Sequence, residues 1–106
     1  MTNDEKEQLE ERVIMALKTV YDPEIPVDVY ELGLIYNVQV NDDASVDVTM
    51  TLTSPSCPVA ESLPEEVREK VAQTAGVANA KVDLTFEPPW TRDMMSEAAM
   101  LELGFM

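Results

Sequence analysis

The sequence predicts an α+β fold with two layers: a three-stranded sheet in β-β-α-β order, with a helix at each end of the chain. Three segments alternate apolar and polar residues, as strands do when one face is buried. Three others repeat apolar residues at intervals of three or four, as amphipathic helices do. Elements with one apolar side must pack against each other, so they form layers around a shared core. At 106 residues, the chain is long enough for a single domain, residues 1–106, with a modest core.

The first helix is predicted over residues 4–21, and it ends before Pro23 because proline disfavours helical geometry in the preceding residue. Its buried stripe consists of Leu9, Val13, Leu17 and Val20. A stiff loop over 22–27 follows, with two carboxylates at Asp22 and Glu24. A turn capped by Asp28 and stopped by Gly33 leads into the sheet.

The first two strands are predicted over 34–40 and 46–53, joined by a polar hairpin loop over 41–45. The inward-facing residues are Leu34, Tyr36, Val38 and Val40 in the first strand, and Val46, Val48, Met50 and Leu52 in the second. A third strand is predicted over 80–87, with Val82, Leu84 and Phe86 inward. A rigid crossing at 88–91 presents Trp90, and Asp93 caps a last helix over 94–103 that Gly104 ends.

Cys57, the only cysteine, lies between the second strand and the second helix, which runs to about residue 75. Two starts for this helix compete. One helix kinked at Pro64 is favoured because the apolar repeat already begins at Val59. A start at Ser62 would instead place Pro64 comfortably in the first turn and leave Cys57 in a loop.

A thiol near a helix start has its thiolate stabilised by unpaired N–H groups, which favours a reactive Cys57 over a buried apolar one. The hydroxyls of Thr53 and Ser54 are within reach for further hydrogen bonds. Nearby Asp22 and Glu24 would act in the opposite direction, because carboxylates raise the pKa of a thiol.

Composition narrows the function. The chain has 7 Lys and Arg against 21 Asp and Glu, a formal charge of −14, which repels nucleic acid and anionic membranes. No apolar run has transmembrane length, and the acidic start is unlike a signal peptide. With one cysteine, no internal disulfide can form, and we expect a cytoplasmic protein.

The sequence has no histidine, so a single chain contains no Ser-His-Asp or Cys-His pair. No zinc site that uses histidine can form either, and any metal or cluster held here would rest on Cys57, on carboxylates, or on a second copy of the chain.

Four motifs, in the right order and at the right separations, resemble the SufT/PaaD family of iron–sulfur assembly factors, and in particular its short bacterial SufT-like members. They are DPE at 22–24, VYELGLIY at 29–36, TLTSPSCP at 51–58 and PPWT at 88–91. The likeness extends from about residue 13 to residue 104. Two features depart from it: Pro-Ser before Cys57, where many bacterial members have Met-Gly, and Pro64.

The resemblance implies an accessory, non-enzymatic factor that assists cluster or iron transfer into recipient proteins. Its reactive cysteine corresponds to Cys57, its loop carboxylates to Asp22 and Glu24, and its strand-end hydroxyls to Thr53 and Ser54. The implied partners are an iron–sulfur scaffold or carrier and client apo-proteins. One thiolate is too few for a stable iron–sulfur cluster, which usually takes four cysteine ligands or their equivalents. Iron or a cluster would therefore be bound transiently, be bridged in a homodimer, or be absent from an adaptor with no tightly bound cofactor.

Two alternatives stay open. One is a PaaD-like factor that matures an aromatic-ring oxygenase, although longer members of that branch carry a further cysteine-rich segment. The other is a thiol enzyme using Cys57, with a carboxylate as a poor base.

Candidate docking residues are Trp90, Arg92, Met94 and Met95, because aromatic residues and methionine are enriched in interface cores. The alternative for Trp90 is a core anchor beneath the last helix, and for Arg92 a surface charge.

Overall fold

The structure, a computed structural model, describes residues 1–21, 25–53 and 62–104. Its elements, in chain order, are α1 (Asn3–Leu17), β1 (Ile35–Val40), β2 (Ser45–Met50), α2 (Ser62–Ala72), β3 (Asn79–Leu84), a 3₁₀ turn (Arg92–Met94) and α3 (Glu97–Glu102). Within these described ranges, no helix is both long enough and apolar enough to cross a membrane.

The three strands form one sheet in the order β1-β2-β3. β1 and β2 are an antiparallel hairpin, and β3 runs parallel to β2 with Met50 paired to Leu84. A parallel pair needs a crossover connection, and α2 lies on that crossover. The predicted α+β class and the β-β-α-β order are confirmed.

The core lies between one face of the sheet and the helices. Val46, Val48 and Met50 on β2 are fully buried, whereas the alternating residues on the other face are only half-buried. The helices contribute Leu9, Val13 and Leu17 from α1 and Leu63, Val67 and Val71 from α2. Each such side chain contributes about 1.5–3 kcal/mol by leaving water, so the two-layer arrangement follows from the apolar periodicities of the sequence.

The first helix starts and ends differently from the prediction. Thr2 caps α1 in a capping box with Glu5, so the helix begins at Asn3. It ends at Leu17 rather than Tyr21, because the next residues pair with a later part of the chain. The N–H of Val29 donates to the carbonyl of Val20 at 2.8 Å, and Tyr21 forms an isolated bridge with Asp28. Val20 is nonetheless buried, as predicted.

The second helix, α2, contains Pro64 as its third residue, where proline costs no helical hydrogen bond. It ends at Ala72, three residues before the predicted end, and the N–H of Thr74 donates to the carbonyl of Val71 in the tight turn that follows. The favoured prediction of a helix that starts upstream and kinks at Pro64 concerns residues 54–61, which lie outside the described residues.

The third strand corrects one prediction. β3 ends at Leu84. Leu84 lies on the same face of the strand as buried Ala80, but the expectation that Leu84 and Phe86 point into the core is wrong, because they are 40% and 37% exposed. Among the described residues, β3 has a neighbouring strand on one side only, so no described strand encloses the side chains at its end from the other side. Phe86 also lies beyond the last residue that pairs with β2.

The last helix also starts later than predicted. Asp93 lies in the 3₁₀ turn, and the N-cap of α3 is Ser96, whose hydroxyl accepts the N–H of Ala99 at 3.1 Å. The backbone of Met95 is extended, because the N–H of Ser96 donates to the carbonyl of Glu31 at 2.8 Å. This contact fixes the chain to the turn before β1 and delays the helix.

Candidate functional site

The candidate site lies at the carboxyl end of the parallel pair β2–β3. Beyond β2, Thr51 and Leu52 are buried, and Thr53 is half-buried and is the last described residue before the segment that carries Cys57. On the far side of that segment, Leu63 in the first turn of α2 is 1% exposed. Buried side chains therefore anchor the chain on both sides of residues 54–61. The carboxyl ends of neighbouring parallel strands are a common place for ligand sites.

A series of backbone hydrogen bonds connects the two regions that the sequence singled out. The N–H of Val29 donates to the carbonyl of Val20 at 2.8 Å, and the N–H of Leu34 donates to the carbonyl of Val29 at 3.1 Å. The N–H of Thr51 then donates to the carbonyl of Leu34 at 2.8 Å. All four residues are fully buried. The first of these bonds closes the base of the loop that holds Asp22 and Glu24. The last lies two residues before Thr53, so the two regions are connected through the core.

Asp28 fixes the other end of the acidic loop. Its carboxylate accepts the N–H of Glu31 at 3.0 Å, and its carbonyl accepts the N–H of Leu32 at 3.0 Å. This is the capped turn that the sequence predicts, although it remains a single turn. Lys18 reinforces it from α1, with its ammonium 3.6 Å from the Glu31 carboxylate and 5.4 Å from the centre of the Tyr30 ring.

Four of the predicted site residues fall outside the described part of the chain: Asp22, Glu24, Ser54 and Cys57. Thr53 is the described member of the set. It lies three residues beyond Met50, so the second strand ends earlier than the predicted 46–53 and Thr53 follows the strand instead of ending it. That the two carboxylates approach the thiol therefore stays a prediction.

The C-terminal crossing packs on the segment that leads into β1. The indole N–H of Trp90 donates to the carbonyl of Leu32 at 2.8 Å. The hydroxyl of Tyr36 donates to the carbonyl of Pro88 at 2.7 Å and lies 3.5 Å from the sulfur of Met94. Sequence reasoning missed this role of Tyr36, because nothing in its spacing identifies a partner 52 residues away.

The four candidate docking residues differ in exposure. Met95 is 6% exposed and belongs to the core, so it packs the molecule internally rather than lining an open surface. Trp90 and Met94 are half-buried, and Arg92 is exposed. The Trp90 hydrogen bond supports the anchor role, while half-burial of the ring leaves part of it open to a partner.

The structure adds two apolar residues to this end of the molecule. Leu84 pairs with Met50 at the carboxyl end of the sheet, and Phe86 follows it, both partly exposed. Alternation with polar residues predicts that both residues lie in the core. The pattern identified two apolar side chains here, but it did not predict that they are exposed.

The pKa shift nearest the cysteine segment is that of Glu65, in the first turn of α2. The guanidinium of Arg68 donates to both oxygens of this carboxylate, with Nε at 3.1 Å from each. These hydrogen bonds hold the pKa of Glu65 below its usual value and raise the pKa of Arg68. The start of α2 therefore keeps a carboxylate charged, as the helix dipole favours.

Comparison with known proteins places this arrangement in a family. Residues 10–84 match the family described as "Iron-sulfur cluster assembly protein". A Porphyromonas gingivalis protein named Fe-S protein maturation auxiliary factor is 62% identical over 98% of this chain and 99% of its own length. The Bacillus subtilis Fe-S protein maturation auxiliary factor YitW is 42% identical over 93% of this chain and 97% of its own.

A solved structure agrees with these relatives. The crystal structure of a domain of unknown function, DUF59, from Bacillus anthracis superposes with a TM-score of 0.90 and 31% identity, covering 99% of this chain and 100% of that one. The chain belongs to the iron–sulfur cluster assembly protein family, and the resemblance drawn from its four motifs is confirmed.

Proposed function

We propose that this protein is an accessory factor in the maturation of iron–sulfur proteins, acting through Cys57. The observation that carries the proposal is family membership along nearly the whole chain, with relatives named maturation auxiliary factors. Those names favour this function over the PaaD-like role and over a thiol enzyme. We infer a non-catalytic role, performed in the cytoplasm by one domain over residues 1–106.

The cysteine segment is anchored in a way that suits such a role. Leu52 and Leu63 are buried in the core on its two sides, and Leu84, exposed and paired with Met50, ends β3 at the same carboxyl end of the sheet. A thiol here would be presented from a rigid base while its own segment spans eight residues between fixed ends. The thiol would bind iron or sulfide as its cargo, or would contact a thiolate of a partner protein.

The ligand arithmetic supports transient handling of that cargo. The chain has one cysteine and no histidine, whereas a cluster usually needs four soft ligands. Asp22 and Glu24 can add hard oxygen ligands, and the hydroxyls of Thr53 and Ser54 can donate hydrogen bonds to a thiolate or sulfide. We propose that no cofactor is tightly bound, and that iron or a cluster passes through the site.

The proposed partners are an iron–sulfur scaffold or carrier and the client apo-proteins. The net charge of −14 favours fast encounter with basic surfaces, an effect that salt screens over about 8 Å at physiological ionic strength. Trp90, Arg92 and Met94 would contribute to docking on one side of the molecule. Association should therefore weaken as the salt concentration rises.

Anaerobic reconstitution with iron and sulfide tests the cargo. We expect wild-type protein to take up substoichiometric iron that a chelator removes readily, and Cys57→Ser to take up less. A full, chelator-resistant cluster on the monomer would contradict the transient role.

The reactivity of Cys57 is tested by its alkylation rate as a function of pH. If the helix start and the hydroxyls dominate, the midpoint lies below about 8.5, the ordinary cysteine pKa. A midpoint at or above that value would remove the argument for an activated thiol.

The role of the acidic loop is tested with Glu24→Ala, using Glu7→Ala on the exposed side of α1 as the matched control. Both variants remove one negative charge. We expect Glu24→Ala alone to impair client maturation, with little change in the free energy of unfolding. If the two variants are equally active, the acidic loop has no role in function beyond ending the first helix.

A further inference from the structure

The outer edge of β3 is the feature that the proposed function does not use. β3 pairs with β2 on one side, and none of the residues in 1–21, 25–53 and 62–104 pairs with its other side. An edge of this kind presents a row of N–H and C=O groups that can pair with another strand.

The backbone geometry shows which groups face outward. The N–H of Thr85 donates to the carbonyl of Met50 at 2.9 Å, so Thr85 turns its backbone toward β2. Successive residues of a strand turn their N–H and C=O groups to opposite sides. The groups of Ala80, Val82 and Leu84 therefore point away from β2, toward the outer edge.

We propose that β3 pairs antiparallel with β3 of a second copy of this chain, about a two-fold axis at Val82. In this register the outward groups of Ala80, Val82 and Leu84 meet those of Leu84, Val82 and Ala80 of the second copy. Lys81 then lies opposite Asp83 of the second copy, and this contact occurs twice by symmetry. The two sheets become one sheet of six strands.

Charge selects this register over its neighbours. An axis at Lys81 would place two lysines opposite each other, and an axis at Asp83 would place two aspartates opposite each other, which destabilises a strand pair. Only the axis at Val82, among these three, puts opposite charges together. The pair falls at a non-hydrogen-bonded position, where opposing side chains are closest.

The side chains are available for this contact. Lys81 and Asp83 have side chains that are 68% and 56% exposed, and their own ion pair within one chain is 3.7 Å long. Leu84, 40% exposed, would come to lie opposite the small residue Ala80 on the helix face. The self-complementary pattern is why we assign the edge to a second copy rather than to a peptide of another protein.

The resulting dimer has two expected properties. Each copy carries a net charge of −14 and the contact is small, so association is weak and depends on concentration. Because Leu84 of one copy lies opposite Ala80 of the other, the two carboxyl ends of β3 are four residues apart along the strands, about 13 Å at about 3.3 Å per residue. The dimer therefore keeps the carboxyl ends of the two β2–β3 pairs apart.

Sedimentation across a wide range of protein concentration, at physiological salt, tests the proposal with charge variants. Lys81→Asp and Asp83→Lys each place like charges opposite, and we expect each to weaken dimerisation by about tenfold. The double variant Lys81→Asp/Asp83→Lys exchanges the charges and should restore the wild-type constant. Lys6→Asp on α1 changes the net charge as much as Lys81→Asp and serves as the control.

A second variant tests the edge itself. Val82→Pro removes an N–H that faces outward, so it leaves the pairing with β2 intact and blocks the centre of the contact. We expect a folded monomer by circular dichroism and sedimentation. A wild type that stays monomeric at every concentration overturns the proposal and leaves the edge to another partner or to none. Dimerisation that neither the charge variants nor Val82→Pro changes would overturn it too, because the copies would then meet elsewhere.

Discussion

Replacing Gly33 by alanine should detach the C-terminal crossing from the turn before β1. Gly33 has φ of +80°, and a Cβ built there would lie 2.2 Å from the carbonyl oxygen of Met94 and 2.7 Å from its carbonyl carbon. Ordinary contacts begin at about 3.4 Å, and the obstacle is backbone, so the crossing must move by about 1 Å. That movement would disturb the hydrogen bond from Trp90 to Leu32.

The magnitude follows from two contributions. The left-handed conformation costs an alanine about 1–2 kcal/mol, and loss of the Trp90 hydrogen bond costs about 1 kcal/mol more. We expect Gly33→Ala to lower the free energy of unfolding by about 2–3 kcal/mol, which for a domain of this size lowers Tm by roughly 10 °C or more.

Gly104→Ala is the matched control. Gly104 has φ of +76° with nothing within 4 Å of a built Cβ, so its substitution contributes conformational strain alone. Denaturant unfolding followed by Trp90 fluorescence measures both variants. If Gly33→Ala costs no more than Gly104→Ala, the close approach of Met94 does not hold the crossing in place, and the reasoning is refuted.

Three further perturbations test separate parts of the structure. Trp90→Phe keeps most of the ring but leaves the Leu32 carbonyl without its donor, and should cost about 1 kcal/mol in denaturant unfolding; no loss would mean that water replaces the indole. Thr2→Ala removes the cap of α1 and should cost about 1 kcal/mol by thermal unfolding, whereas an unchanged Tm would show that the cap is dispensable. Because the folded pKa of Glu65 is lowered, its stabilising contribution is present above the ordinary glutamate pKa and is lost as pH falls through the folded value. Arg68→Gln should return that pKa toward its ordinary value in an NMR titration, and an unchanged pKa would exclude Arg68 as the cause.

The elements that depend on local pattern could be predicted from the sequence. The hairpin, the presence of a third strand after the second helix, and the buried face of β2 follow from alternation and from turn residues, and Val46, Val48, Met50 and Leu52 are buried as predicted. The capped turn at Asp28 follows from local side-chain chemistry in the same way.

Element ends and long-range contacts could not be predicted in the same way. α1 stops at Leu17 because the N–H of Val29, distant in sequence, donates to the carbonyl of Val20. α3 starts late because the N–H of Ser96 donates to the carbonyl of Glu31. The exposure of Leu84 depends on β3 being an edge strand, which no local pattern specifies. At the site, the residue types were readable from the sequence, but the core connection through Leu34 and Thr51 depends on the assembled fold.

Complementation in cells that lack this protein tests the central claim most directly. The measurement is the recovered activity of an iron–sulfur enzyme, with wild type and Cys57→Ser expressed at equal levels and shown to be equally folded. The account predicts that wild type restores the activity and that Cys57→Ser does not, because serine retains the size of the side chain but not the thiolate. Full recovery with Cys57→Ser would contradict a function that depends on this thiol.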